Sequence, residues 1–160
     1  MPLFTALLHT ANDALRLGRA LETLRPCSEI LIVDHHSDDS TLHIAHTYGA
    51  RIIHADPDTS PGHFIQLAKY HWILCLDPHE SITETLEASL FEWRELPSSA
   101  TGANAYSITM REETTSGWRQ QAAPHTRLVP RHWNQWRLGL PADDPAASLL
   151  QGDLLRFAFP

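Results

Sequence analysis

The chain has 160 residues, 42% of them hydrophobic, and carries a formal net charge of −7 with a sequence pI near 5.8. That length supports one domain with a genuine core and excludes two comfortable ones. Its twelve basic residues are scattered rather than gathered on one face, which excludes an electrostatic footprint for nucleic acid.

From the N-terminus, Leu3 to His9 is a short apolar run ending at Thr10-Ala11-Asn12-Asp13, after which Leu17, Ala20, Leu21 and Leu24 recur at helical spacing. This predicts a strand followed by a helix. Glu29-Ile30-Leu31-Ile32-Val33 predicts a second strand, stopping at Asp34, and Ser40-Thr41 opens a second helix that ends near Gly49. Arg51 to His54 predicts a third strand, Gly62 to Tyr70 a helix, and His71 to Leu76 a fourth strand terminating at Asp77. Ile82, Leu86, Leu90 and Trp93 mark a further helix that ends before Pro97. Beyond the break at Ser98–Gly102, Ala105 to Met110 alternates as a strand and His125 to Val129 is a second candidate. The remainder has little periodicity.

Near-continuous apolar strands alternating with helices predict an α/β fold, with a doubly wound, mostly parallel sheet covered on both faces. Ligands in such sheets bind beyond the carboxyl ends of the strands. Three polar clusters fall at those ends: Thr10–Asp13, Asp34–Asp39 and Asp77–Glu80. Cys27 and Cys75, far apart in apolar surroundings, are expected to be ordinary buried thiols of a reducing compartment. MPLFTALLHTAND has no basic lead, and no window approaches the roughly 18 apolar residues of a membrane span, so a cytoplasmic protein without a transmembrane segment is expected.

Several pieces in order resemble a known family: Thr10-Ala11-Asn12-Asp13 ahead of a helix, EILIVDHHSDDST, HTYGARIIH, HWILCLDPHE and HTRLVPR. Together they are similar to the family-2 glycosyltransferases of the GT-A fold, in particular the bacterial branch that adds sugars to the lipopolysaccharide core. The resemblance runs from about Leu3 to Leu96 and thinly to Phe159. It implies a single GT-A-like domain over 1–160, with a nucleotide-binding half at 1–96 and a shortened acceptor-side half at 97–160. The donor it implies is a nucleoside diphosphate sugar, and the reaction an inverting transfer of a hexose to a saccharide or glycolipid acceptor. Thr10, Asn12, Asp34, Asp39 and Asp77 are the implied nucleotide-binding residues. Carboxylates at strand ends can accept hydrogen bonds from a base N–H or ribose hydroxyls. They can equally build the turn and cap the next helix.

The metal motif of that family is Asp-x-Asp, and here it reads Asp77-Pro78-His79-Glu80. Asp77 and His79 are therefore the implied ligands of a divalent ion, Mn²⁺ or Mg²⁺, with Mg²⁺ weakened first because it prefers oxygen ligands. Three roles are open to His79: ligand of a softer ion, hydrogen-bond donor to a phosphate oxygen, or occupant of a place where no acid is required. Inverting transfer also needs a general base. The family pattern has a glutamate after a histidine, whereas this chain offers Asp143 and Asp144 as candidates, in a Pro-flanked acidic turn. Gly152-Asp153-Leu154-Leu155-Arg156-Phe157 resembles the family's Gly-Asp-Leu-Leu-His-Tyr, with Arg156 in the histidine's place, and the chain stops at Pro160 where full-length members continue.

These departures keep a second reading open, that of a catalytically inactive relative serving as a binding or assembly module. A nucleotidyltransferase is disfavoured, since Lys69 is the single lysine and no glycine- and lysine-rich phosphate loop follows Leu8. Eleven histidines raise a metal reading of their own, with His43 and His46 on one helical face near His35 or His36. Trp72 and Trp93 are expected in the core. Trp118, Trp133 and Trp136, beside Arg119, Arg127, Arg131 and Arg137, are either a sugar-stacking wall or a satellite hydrophobic cluster.

Overall fold

The computed structural model describes residues 2–97 and 102–160, so most of the predicted Ser98–Gly102 break lies outside the described residues. Strands β1 (Phe4–Thr10), β2 (Glu29–Asp34), β3 (Arg51–His54) and β4 (Trp72–Leu76) form on the predicted stretches, with helices α1 (Leu17–Glu22), α2 (Thr41–Thr47) and α3 (Pro61–Gln66) between them. β2 and β4 carry unbroken apolar runs, ILIV and WILCL, because both of their faces are covered. Phe4, Ala6 and Leu8 of β1 pack into one core with Leu17, Ala20 and Leu21 of α1, Ala45 of α2, and Leu86, Leu90 and Trp93 of α4 (Glu84–Arg94). Leu7, between them on the strand, faces the opposite core with Phe64 and Ile65 of α3. Each fully buried Leu, Ile or Phe contributes roughly 1.5–3 kcal/mol. Trp72 and Trp93 lie in the first core as expected, meeting edge to face with ring centroids 5.5 Å apart.

Helix α3 is shorter than the Gly62–Tyr70 pattern predicts. The helix expected from Ile82 begins instead at Glu84, because Glu80–Ile82 forms strand β5. Ile82 and Leu86 share the helical i, i+4 spacing, but a strand, a cap and a first helical turn bury the same pair. Thr83 is that cap, its Oγ1 accepting from the Leu86 N–H at 3.2 Å. Beyond β6 (Tyr106–Thr114), the hairpin strand β7 (Gly117–Gln120) and β8 (His125–Pro130), the short pair β9 (Trp136–Arg137) and β10 (Leu140–Pro141) precedes the long strand β11 (Ser148–Arg156).

Nine strands among the described residues form one sheet in the order β3-β2-β1-β4-β8-β6-β11-β5, with β7 paired to β6. The block β3-β2-β1-β4 is wholly parallel. β8 runs antiparallel to β4 and β6, while β11 is parallel to β6 and antiparallel to β5. This is the α/β doubly wound arrangement with helices on both faces. From β1 the chain steps outward through β2 and β3, then returns to place β4 on the other flank of β1. The order reverses between β1 and β4, and the crevice beyond their carboxyl ends is where such a sheet binds ligands. Among the described residues no helix is long and apolar enough to cross a membrane.

Candidate functional site

The first two polar clusters form one braced rim. Thr10 and Asp34 are paired across β1 and β2, and the buried Thr10 hydroxyl donates to Asp34 Oδ1 at 3.2 Å. Ser37 donates to the same carboxylate through its N–H (3.1 Å) and its Oγ (2.6 Å). Asn12, exposed and at φ 55°, gives its N–H to Ser37 Oγ (2.9 Å) and accepts the Asp38 N–H at Oδ1 (2.8 Å). Asp39 accepts from Ala14 N–H at 3.2 Å and from the Thr41 N–H at 2.9 Å, and the Thr41 hydroxyl holds its carboxyl below the ordinary range. Thr10 and Asp34 thus build the rim from within, while Asn12 and Asp39 present it to solvent. The turn-building role is what these contacts display.

At the end of β4, Asp77 Oδ1 accepts from the His79 N–H (2.9 Å) and bonds His79 Nδ1 (2.6 Å). Burial opposes the Asp77 charge. The two His79 donors and nearby Arg156 outweigh it and hold the carboxyl below its usual range. Glu80, fully buried, accepts from the Asp77 N–H at 2.9 Å. Both its carboxylate oxygens meet the fork of Arg127, Nη1 at 2.5 Å and Nη2 at 2.9 Å. Burial likewise opposes the Arg127 charge, and the Glu80 carboxylate more than offsets it, leaving the guanidinium pKa raised. Neither this pair nor its depth follows from the sequence pattern.

These groups open onto a cleft of about 390 Å³ lined by Asp77, Glu80, Arg127, Arg137, Asp143 and Arg156, among others. Asp143 therefore reaches the same cleft as Asp77. Its Oδ1 accepts from the Thr126 N–H at 3.1 Å, and its Oδ2 lies 3.5 Å from His125 Nδ1. Asp144 does not line this cleft; its Oδ1 caps the Ala146 N–H at 2.9 Å. A larger cleft of about 570 Å³ opens at the amino ends of β1 and β4, around Leu3, Trp72 and His132, and among the described residues no carboxylate lines it.

The tryptophans do not form one wall. Trp133 and Trp136 pack under the second core as a satellite, whereas Trp118 meets Phe157 edge to face at 5.1 Å on the β7 side. Arg131 donates to the Ala68 and Tyr70 carbonyls, and Arg119 pairs with Glu112. His9 Nδ1 is hydrogen-bonded to His35 Nε2 at 2.8 Å. Among the described residues no three or more His, Cys, Asp or Glu side chains converge to hold a metal.

The divalent ion that the resemblance implies finds a poor donor set here. One oxygen of Asp77 is already engaged twice by His79, and Glu80 is consumed by Arg127. Arg156 Nη1 stands 3.7 Å from Asp77 Oδ1 and 3.4 Å from Glu80 Oε2, a like charge where an ion would sit. Residues of this kind do not fit Mg²⁺ or Mn²⁺. Arg156 arrives by strand pairing: it lies opposite Glu80 in the β11–β5 register. The sequence pattern shows the exchange of histidine for arginine, but the contact with Asp77 emerges from the sheet.

No family model matches the chain. It is 30% identical over 87 residues to an uncharacterized glycosyltransferase, RP128, of Rickettsia prowazekii, an alignment covering 49% of this chain and 28% of that protein. The chain thus spans under a third of the length of that curated relative. Among solved structures, TarS of S. aureus superposes with a TM-score of 0.55 at 18% identity, over 81% of this chain and 28% of that one. The mannosyl-3-phosphoglycerate synthase of Rubrobacter xylanophilus gives 0.52 at 17% identity, over 70% and 40%. The fold is that of GT-A glycosyltransferases.

Proposed function

We propose that the chain is the nucleotide-sugar-binding domain of a glycosyltransferase, similar to family 2 and its lipopolysaccharide-core branch, transferring a hexose with inversion to a saccharide or glycolipid acceptor. The observation that carries this is the convergence at the β1–β4 switch point of three strand-end clusters with a cleft bearing Asp77, Arg137, Asp143 and Arg156. In this reading Asn12, Asp39 and the Thr10–Asp34 pair frame the nucleoside, and Asp77 and His79 face the diphosphate. Residues 97–160 form the acceptor side. Asp143 is the better-placed general base of the two candidates, because it lines the cleft and Asp144 does not.

Calorimetry with UDP, GDP and their sugars, each in Mn²⁺ and in EDTA, tests donor binding. No heat with any of them refutes the reading. Turnover is followed by release of nucleoside diphosphate with saccharide and lipid-linked acceptors, where Asp143→Asn should lower kcat about 10²-fold with donor affinity unchanged.

A non-catalytic binding module is the second reading, favoured by the engagement of Asp77 by His79 and of Glu80 by Arg127 where the resembled family places a metal motif. It predicts nucleotide binding with no turnover against any acceptor.

A further inference from the structure

We propose that the guanidinium of Arg156 takes the place of a divalent ion in this cleft, so that a nucleoside diphosphate is held by protein cations without metal. This rests on the nucleotide-sugar reading above. The fork of Arg127 already meets both oxygens of Glu80, so Arg156 is a second cation beside a buried carboxylate that is already matched. Of its nitrogens, Nη1 alone contacts Asp77 and Glu80 among the described residues; Nε and Nη2 have donors to offer, and the side chain is 39% exposed at the cleft wall. A planar fork of N–H donors matches the oxygens of a phosphate, which is how arginine binds such groups. Arg137 lines the same cleft and adds a second cation to it.

The strand that carries Arg156 is fixed in place. Gly152 lies so close to the start of α4 that a Cβ would come within 2.3 Å of Leu86 N. The Asp153 carbonyl accepts the Thr83 N–H and the Asp153 N–H donates to Thr83 Oγ1, both at 3.1 Å, while Asp153 Oδ1 accepts from Thr109 Oγ1 at 2.5 Å. Three residues further on, Arg156 is delivered opposite Glu80. Asp77 then has two tasks that need no metal: it orients His79 through Nδ1, and it holds Arg156 at the cleft. Relative to the Asp-x-Asp and Gly-Asp-Leu-Leu-His pattern that the chain resembles, His79 removes one negative charge and Arg156 adds one positive charge. The sum equals the charge of a divalent ion.

The test is calorimetry of wild type, Arg156→Gln and Arg156→Lys with UDP, GDP and inorganic pyrophosphate, each in EDTA and in Mn²⁺. Wild type should bind a nucleoside diphosphate equally in both buffers. Arg156→Gln should bind it about tenfold more weakly, consistent with loss of a charge-assisted contact. Arg156→Lys, which keeps the charge against Glu80 and covers the case of a Gln variant that fails to fold, should lose about threefold because an ammonium lacks the fork. The double variant His79→Asp, Arg156→His should bind only with Mn²⁺. Wild-type binding that requires Mn²⁺ overturns the proposal while leaving the nucleotide-sugar reading intact. So does metal-free binding that Arg156→Gln weakens less than about twofold. No binding in either buffer overturns that reading itself, and the arginine proposal with it.

Discussion

The Glu80–Arg127 pair gives the sharpest stability prediction. Glu80→Gln keeps the shape and one acceptor but removes the charge from a carboxylate that is fully buried, leaving a guanidinium whose side chain is 5% exposed. Two charge-assisted bonds, at 2.5 and 2.9 Å, lose most of their strength. Breaking a buried pair on one side costs about 3–5 kcal/mol, since the remaining charge is uncompensated. For a domain of this size that lowers Tm by about 6–20 °C. Urea unfolding followed by circular dichroism measures the loss. The double variant Glu80→Leu, Arg127→Met should be more stable than Glu80→Gln, because apolar side chains of similar length carry no desolvation cost. A loss under about 1 kcal/mol for Glu80→Gln, or a double variant as unstable as the single, would show that the pair is not the buried, coupled unit described.

Three further outcomes follow. Gly152→Ala should destabilise by at least about 2 kcal/mol, because at φ +105° the new Cβ is both strained and driven into Leu86 backbone; a melting curve unchanged from wild type would contradict that packing. His9 is held near pKa 4 by burial and then by His35, below its unfolded value of 6.5. The unfolded chain therefore binds a proton that the folded one refuses, and stability falls as pH drops from about 6.5 toward 4, by up to about 3 kcal/mol. His9→Leu should flatten that slope in urea midpoints taken across the range, and an unchanged slope would assign it to other groups. Burial pushes the Cys27 thiol up to about 11 and the Cys75 thiol up to about 12. Both should react with a thiol reagent at about pH 8 far more slowly than in urea, and rapid native labelling of Cys75 would be inconsistent with its place in the core.

The parallel half of the sheet was legible because β2 and β4 are apolar runs closed by Asp34 and Asp77 and β1 is mostly apolar, and β3 matches its predicted span residue for residue. Strand β11 was not legible. SLLQGDLLR has neither alternation nor β-branched residues, and a glycine at positive φ sits in its middle where the strand pairing shifts register. What fixes it is contact with α4 and β6, elements distant in sequence. The site divides the same way. Asp77, His79, Asp143 and Arg156 are visible as residue types in a pattern, and the His79–Asp77 bond is local, but the Arg127 fork and the approach of Arg156 exist only once the sheet sets β8 beside β4 and β11 beside β5. Ile82 misled for a simple reason: burial at i and i+4 is shared by a helix and by a strand that turns into one.

The cross-bracing of the rim sets the thermodynamics of whatever enters it. Asn12 with Ser37 and Asp38, Asp13 with Thr41, and Ala14 with Asp39 tie the loop that follows β1 to the loop that follows β2, side by side at the carboxyl end of the sheet. With those loops already ordered, a ligand forfeits little chain entropy on arrival. Its binding heat capacity should then reflect only the apolar surface of the ligand and the cleft that leave water, without the large negative excess that accompanies coupled folding.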